Sequence, residues 1–140
     1  MTPYVAGERR PHAVKLSSNE NPLGPSPRAI RALREALDEA HIYPDGSLRS
    51  LREAIARARG VGADMILPGN GSDEVLQLIA GTYFDPGDEV LIGEHTFSQY
   101  AFAARLFDAS IRWIPMADLH LRPETIIATA RSGEKPPRAI

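Results

Sequence analysis

Cysteine is absent from the 140 residues, which excludes disulfides, thiolate metal sites and cysteine nucleophiles together. Lysine is nearly absent: Lys15 and Lys135 are the only two, and every other basic side chain is arginine or histidine. Any chemistry that needs an activated amine has just these candidates. Lys15 lies in the extended stretch Val14-Lys15-Leu16 and Lys135 in Gly133-Glu134-Lys135-Pro136-Pro137, neither with the apolar surroundings that activate an amine. Both read as solvated side chains. No run approaches the ~20 apolar residues of a membrane span. The amino terminus carries Arg9, Arg10 and Pro11 where a secretory signal needs an apolar core. A cytoplasmic location with no membrane partner is the resulting expectation. Charge of one sign is lacking too. A net charge of −2 and no arginine–aromatic stripe give nucleic acid nothing to bind. No metal site is expected.

The informative run is Gly69-Asn70-Gly71-Ser72-Asp73-Glu74, between a short apolar segment, Met65-Ile66-Leu67-Pro68, and a strongly apolar one, Val75-Leu76-Gln77-Leu78-Ile79-Ala80. The first reads as a strand and the second as a helix. Glycines at a strand-to-helix turn let the backbone bend tightly and let a ligand approach main-chain N–H groups. The first N–H groups of a helix lack intrahelical partners and carry the positive end of its dipole, so such a turn can hold a phosphate. The plain alternative is an ordinary loop, with Ser72 as helix cap and Asp73 and Glu74 favouring the dipole. Three nucleotide motifs fail by count. The dinucleotide fingerprint requires glycine where Glu74 stands, a P-loop requires Gly-Lys-Ser/Thr, and a nucleophile elbow requires glycines flanking Ser72 at two residues on either side.

Pro3, Pro11, Pro22 and Pro25 break any regular element in residues 1–26, which read as an extended arm. Ser26 caps a helix with Pro27 in its first turn, and Ile30, Leu33, Leu37 and Ala40 form one face. Tyr43-Pro44-Asp45-Gly46 is a turn, and Ser47 is the expected cap of a second helix facing inward through Leu48, Leu51, Ile55 and Ala58. Gly60 and Gly62 end it, so 27–62 is a helical lead-in. From 63 to 140 the pattern alternates: strand 65–67, helix 72–83, strand 89–92, helix 98–107, strand 111–114, helix 123–131, and a strand beginning at Arg138-Ala139-Ile140. Such alternation predicts an α/β fold with a mostly parallel sheet and right-handed crossovers. Ligands then sit beyond the carboxyl ends of the strands, where the Gly69–Ser72 turn and the loop Gly93-Glu94-His95-Thr96-Phe97 both fall. An apolar strand left unpaired at Ile140 makes a longer polypeptide, or a truncated product, the expectation.

Four segments taken in order resemble the amino-terminal part of the histidinol-phosphate aminotransferase family. They are Ser17-Ser18-Asn19-Glu20-Asn21-Pro22-Leu23-Gly24-Pro25, Tyr43-Pro44-Asp45, Gly69-Asn70-Gly71-Ser72-Asp73-Glu74 and Thr96-Phe97-Ser98-x-Tyr100, with Pro86-Gly87-Asp88-Glu89-Val90 fitting between the last two. The resemblance covers nearly the whole chain. It implies a fold-type I pyridoxal-phosphate transferase: an incomplete large domain from 63 onward, with the arm and helices of the small domain before it. It also implies an amino donor and a 2-oxo acid as substrates, pyridoxal 5'-phosphate as cofactor, and a homodimer with shared sites. By position, Gly71, Ser72 and Asp73 would form the phosphate cup, with the Asp73 and Glu74 carboxylates turned away from it. Phe97 would stack on the pyridine ring. Tyr43 would reach the partner subunit's cofactor phosphate, Tyr4 would lie near the substrate, and Asn21 would border the substrate pocket.

The departures from the family pattern weigh as much. The Schiff-base lysine, the aspartate paired with the pyridinium nitrogen and the substrate-carboxylate arginine all lie beyond residue 140 in that family. Neither lysine here matches the catalytic one, so no catalytic residue is assigned and the isolated chain is expected to be inactive. His95 stands where the family usually has proline, and reads as a loop histidine; Asp108 stands where glycine is frequent. An aromatic aminotransferase and a threonine-phosphate decarboxylase-like enzyme share much of the pattern, and a non-catalytic binding or dimerising remnant is the reading from another class.

Overall fold

The computed structural model describes residues 12–14, 16 and 19–140, so Tyr4, Lys15, Ser17 and Ser18 lie outside the described residues. The chain divides into two compact units, Met1–Asp45 and Gly46–Ile140. In the first, helix α1 (Pro27–Ala36) begins as its sequence dictates. The Ser26 hydroxyl accepts the Ala29 N–H at 3.2 Å, and Pro27 sits where its missing N–H costs nothing. A 3₁₀ turn, Leu37–Glu39, ends it. The expected apolar face is present in sequence but not covered: Leu33 and Leu37 are both exposed.

In the second unit, helix α2 (Arg49–Arg59) starts one residue later than expected. Its cap position is Leu48, in the left-handed region at φ 50°, and not Ser47. Gly60 ends the helix at φ 69°, with its N–H on the Ala56 carbonyl at 2.8 Å, a conformation only glycine adopts freely. The strand expected at 65–67 does not form. Ala63–Met65 is a 3₁₀ turn, and Ile66 is extended but unpaired, since no described strand lies alongside and Pro68 has no N–H to give.

The sheet is built on β1 (Glu89–Gly93) and β2 (Ser110–Ile114), parallel and in register from Glu89 opposite Ser110 to Gly93 opposite Ile114. Ala139 bridges Val90 on the other side of β1, also in parallel, with the Arg138 N–H on the Glu89 carbonyl at 2.7 Å and the Leu91 N–H on the Ala139 carbonyl at 3.0 Å. The chain leaves β1 through α4 (Ser98–Leu106) to reach β2 on one side. It leaves β2 through α5 (Pro123–Arg131) to reach Ala139 on the other. The winding therefore reverses at β1, which makes the carboxyl end of β1 the place where such sheets open a ligand crevice.

Each face of the sheet holds one crossover helix. Val90 and Ile92 pack with Ala101, Ala104 and Ala109 in the buried core, the small alanines letting α4 lie close to the strands. Full burial of a valine or isoleucine side chain contributes about 1.5–3 kcal/mol. Pleating turns Leu91 and its register partner Arg112 to the opposite face. There Arg112 grips both Glu89 carboxylate oxygens and donates through Nη1 to the Thr129 carbonyl of α5 at 2.5 Å. Helix α3 (Gly71–Tyr83) runs back along β1. Its last carbonyl, of Tyr83, accepts from Arg138 Nε at 2.7 Å near the amino end of the strand, and Phe84 packs against the core. Its first turns therefore lie toward the carboxyl end. The approach to β2 is left-handed at Asp108, φ 56°, whose carbonyl accepts the Gly87 N–H at 3.1 Å. Glycine would adopt that conformation without strain.

Candidate functional site

The turn into α3 distributes its hydrogen bonds unevenly. Gly71 takes φ 76°, and its N–H closes back on the Gly69 carbonyl at 2.8 Å. The cap position is Asn70, so Ser72 lies inside the first turn and does not cap the helix as the plain alternative supposed. The main-chain N–H of Asn70 donates to Glu74 Oε2 at 2.5 Å, and its side-chain Nδ2 to the same oxygen at 3.0 Å. Glu74 thus folds back onto Asn70. What remains is a compact donor set. Among the described residues, the N–H groups of Ser72 and Asp73 and the Ser72 hydroxyl have no acceptor. A β-carbon built on Gly71 would meet nothing within 4 Å, so the space in front of those donors is open. Two main-chain N–H groups, a hydroxyl and a helix dipole suit a phosphate.

Phe97 stands just past β1, as the sequence placed it. The loop before it is fixed by Thr96, whose hydroxyl donates to the Gly93 carbonyl at 2.8 Å. The Phe97 ring is 49% exposed and meets Tyr100 edge to face, with centroids 6.0 Å apart. A cavity of about 360 Å³ lies over β1 and joins Leu76 of α3 to Gly93, Thr96 and Tyr100. The α3 turn and the Phe97 loop therefore share the carboxyl end of the sheet, and a second cavity of about 250 Å³ lies between Phe97, Arg105 and Trp113. His95 is exposed in the turn after β1, with no hydrogen bond among the described residues. A half-exposed ring at the same end of the sheet as those donors suits a flat aromatic cofactor that carries a phosphate.

Two of the other expected residues belong to the first unit. Asn21 lies in the first unit, where it closes its own turn: Oδ1 accepts the Leu23 N–H at 3.1 Å and Nδ2 donates to the Gly24 carbonyl at 3.2 Å. Tyr43, in the same unit, is 98% exposed. Tyr4 lies outside the described residues. Lys135 is exposed in the connection from α5, three residues before Arg138 pairs with the amino end of β1. It sits at the wrong end of the sheet for chemistry beside Phe97. Sequence reasoning missed the Asn70–Glu74 pairing, although the four-residue spacing across a helix start was the available signal.

The general family description "Aminotransferase class I and II" matches residues 11–136. A histidinol-phosphate aminotransferase of Symbiobacterium thermophilum is 42% identical over 96% of this chain and 40% of its own length. One of Paramagnetospirillum magneticum is 45% identical over 95% of the chain and 38% of its own length. The chain thus spans about two fifths of the length of these curated relatives. Among solved structures, the histidinol-phosphate aminotransferase of Sinorhizobium meliloti in complex with pyridoxal-5'-phosphate superposes with a TM-score of 0.76. It covers 82% of this chain and 31% of the other at 24% identity, a likeness of fold. The fold is accordingly that of the fold-type I pyridoxal-phosphate enzymes. With the family pattern spanning nearly its whole length, the chain belongs to the class I and II aminotransferases.

Proposed function

We propose that this chain is the amino-terminal part of a histidinol-phosphate aminotransferase, which moves an amino group from L-histidinol phosphate to 2-oxoglutarate, giving imidazole-acetol phosphate and glutamate in histidine biosynthesis. The observation that carries the reading is the acceptor-free donor set of Ser72 and Asp73, opened by left-handed Gly71 at the same end of the sheet as Phe97. The relatives' names supply the substrate assignment. Pyridoxal 5'-phosphate, when bound, acts as an electron sink at the substrate α-carbon. The residues of this chain hold and orient it. Ser72 and Asp73 would donate to the phosphate, the α3 dipole would favour its charge, and Phe97 would offer the ring an apolar face. No group here accepts the α-proton; that task falls to a lysine outside these 140 residues. Residues 63–140 serve as the first part of the cofactor domain, 27–62 as the lead-in and 1–26 as an arm bringing Tyr4 and Asn21 toward the substrate. Tyr43, exposed in its own unit, acts on the partner subunit's cofactor phosphate, which makes the complete enzyme a homodimer. A cytoplasmic location fits this chemistry, and among the described residues no helix is long and apolar enough to cross a membrane. The test is turnover of L-histidinol phosphate, phenylalanine and threonine phosphate by the full-length protein. Preference for an aromatic amino acid, or decarboxylation of threonine phosphate, would overturn the substrate assignment.

A further inference from the structure

We infer that Glu74 is a positioning residue of the phosphate-holding turn, acting through Asn70 as a hydrogen-bond acceptor and not as a charge. The inference rests on the pyridoxal-phosphate reading above and goes beyond it. A turn that begins a helix has several main-chain N–H groups without intrahelical partners, and an anion binds well only if the right ones face it. Here the sorting is visible. Glu74 Oε2 takes both donors of Asn70, at 2.5 Å and 3.0 Å, while the Gly71 N–H closes on Gly69 at 2.8 Å. Among the described residues, Ser72 and Asp73 keep N–H groups free for a ligand.

The same carboxylate also lies against the main chain of Gly69. A β-carbon at Gly69 would come within 3.2 Å of Glu74 Oε2 and 2.8 Å of Val75 Cγ2, so the bend and the side chain fit each other closely. Glu74 therefore holds the turn from behind while its front stays open at Gly71. The charge itself works against a phosphate, because a carboxylate beside a dianion is repulsive. An acceptor is needed there, and a neutral one serves as well. Glutamine supplies such an oxygen at the same reach; alanine supplies none, and aspartate is one methylene short.

The experiment uses the full-length apoenzyme and its Glu74→Ala, Glu74→Gln, Glu74→Asp and Ser72→Ala variants. Each is titrated with pyridoxal 5'-phosphate and with pyridoxal, and inorganic phosphate is scored as a competitor of the former. Expected for Glu74→Ala is a loss of about tenfold for pyridoxal 5'-phosphate, with pyridoxal changed less than about twofold and phosphate competition weakened in step. Glu74→Gln should recover wild-type affinity or exceed it, and Glu74→Asp should follow alanine. Equal losses for the two cofactor forms mean a role in folding alone and overturn the inference. So does a glutamine variant as impaired as the aspartate one, a comparison that holds even if Glu74→Ala fails to fold. Ser72→Ala separates the two layers. If it leaves the ratio of the two affinities unchanged, the phosphate reading falls and this inference with it. If it shifts the ratio while Glu74→Ala does not, only the role of Glu74 is refuted.

Discussion

Replacing Gly71 with alanine tests the turn at its most exposed point. The β-carbon would meet no atom of the protein within 4 Å, so steric crowding contributes nothing to the outcome. Two other effects do. Gly71 is at φ 76°, and an L side chain in the left-handed region costs about 1–2 kcal/mol per residue. Loss of glycine's freedom in the unfolded chain returns about 0.4–1 kcal/mol, leaving a net folding cost of about 1 kcal/mol. The second effect concerns binding. On the phosphate reading, an anion on Ser72 and Asp73 would use the open space beside Gly71 that the methyl enters. Displacing the phosphate from one charge-assisted donor costs about 1.5–3 kcal/mol, and ~1.4 kcal/mol is a decade of affinity. Gly71→Ala in the full-length apoenzyme should therefore weaken pyridoxal 5'-phosphate at least tenfold in an equilibrium titration. Pyridoxal, which has no phosphate to displace, should change by less than about twofold. A lowered melting temperature with unchanged preference for the phosphorylated form would show that the residue serves the fold only, and the phosphate assignment would be wrong.

Four further outcomes are expected. Tyr43→Phe subunits mixed with subunits lacking the catalytic lysine should regain activity that neither parent has, because one site of each mixed dimer is then intact; no recovery would argue that Tyr43 acts within its own subunit. Arg112→Leu should destabilise the sheet by about 1–3 kcal/mol, since it leaves the Glu89 carboxylate without its partner and removes one of the donors to the Thr129 carbonyl; a double-mutant cycle with Glu89→Gln that shows no coupling would refute the staple. Asp108→Gly should raise the melting temperature slightly, the relief of left-handed strain (~1–2 kcal/mol) exceeding the entropy cost of glycine (~0.5–1 kcal/mol). The 140-residue chain alone, treated with pyridoxal 5'-phosphate and borohydride, should give no stoichiometric adduct at Lys15 or Lys135 by mass mapping.

What the sequence revealed about this fold was local information. The Ser26-Pro27 start of α1, the Gly60 end of α2 and the three helices α3, α4 and α5 depend on residues within a turn or two of one another. Their bounds emerge from capping and periodicity. The parallel strands followed because short apolar runs alternated with helices of crossover length. Where the reading failed, the deciding partner was distant or missing. Residues 65–67 have strand composition, and Ile66 is extended, yet an extended segment becomes a strand only with a neighbour to pair with. The same holds for the apolar face of α1, whose periodicity was clear and whose covering surface a sequence cannot show. Leu48 in a left-handed cap has no composition signal at all, because leucine is not a residue that favours it.

The candidate site was legible to the extent that main-chain geometry made it. Gly71, Ser72 and Phe97 could be found because a fold alone seldom calls for glycine, hydroxyl and aromatic residues together at the carboxyl ends of its strands. The side-chain partnership of Asn70 with Glu74 was signalled only by their four-residue spacing, and the same carboxylate turned outward would leave an identical sequence. The division of labour then follows from what each end of the sheet carries. The carboxyl end holds donors, a ring and no amine. Lys135, the only lysine among the described residues, precedes the strand that pairs with the amino end of β1. On the proposed reading, then, these 140 residues would supply the groups that hold the cofactor, and the base would come from elsewhere in the enzyme.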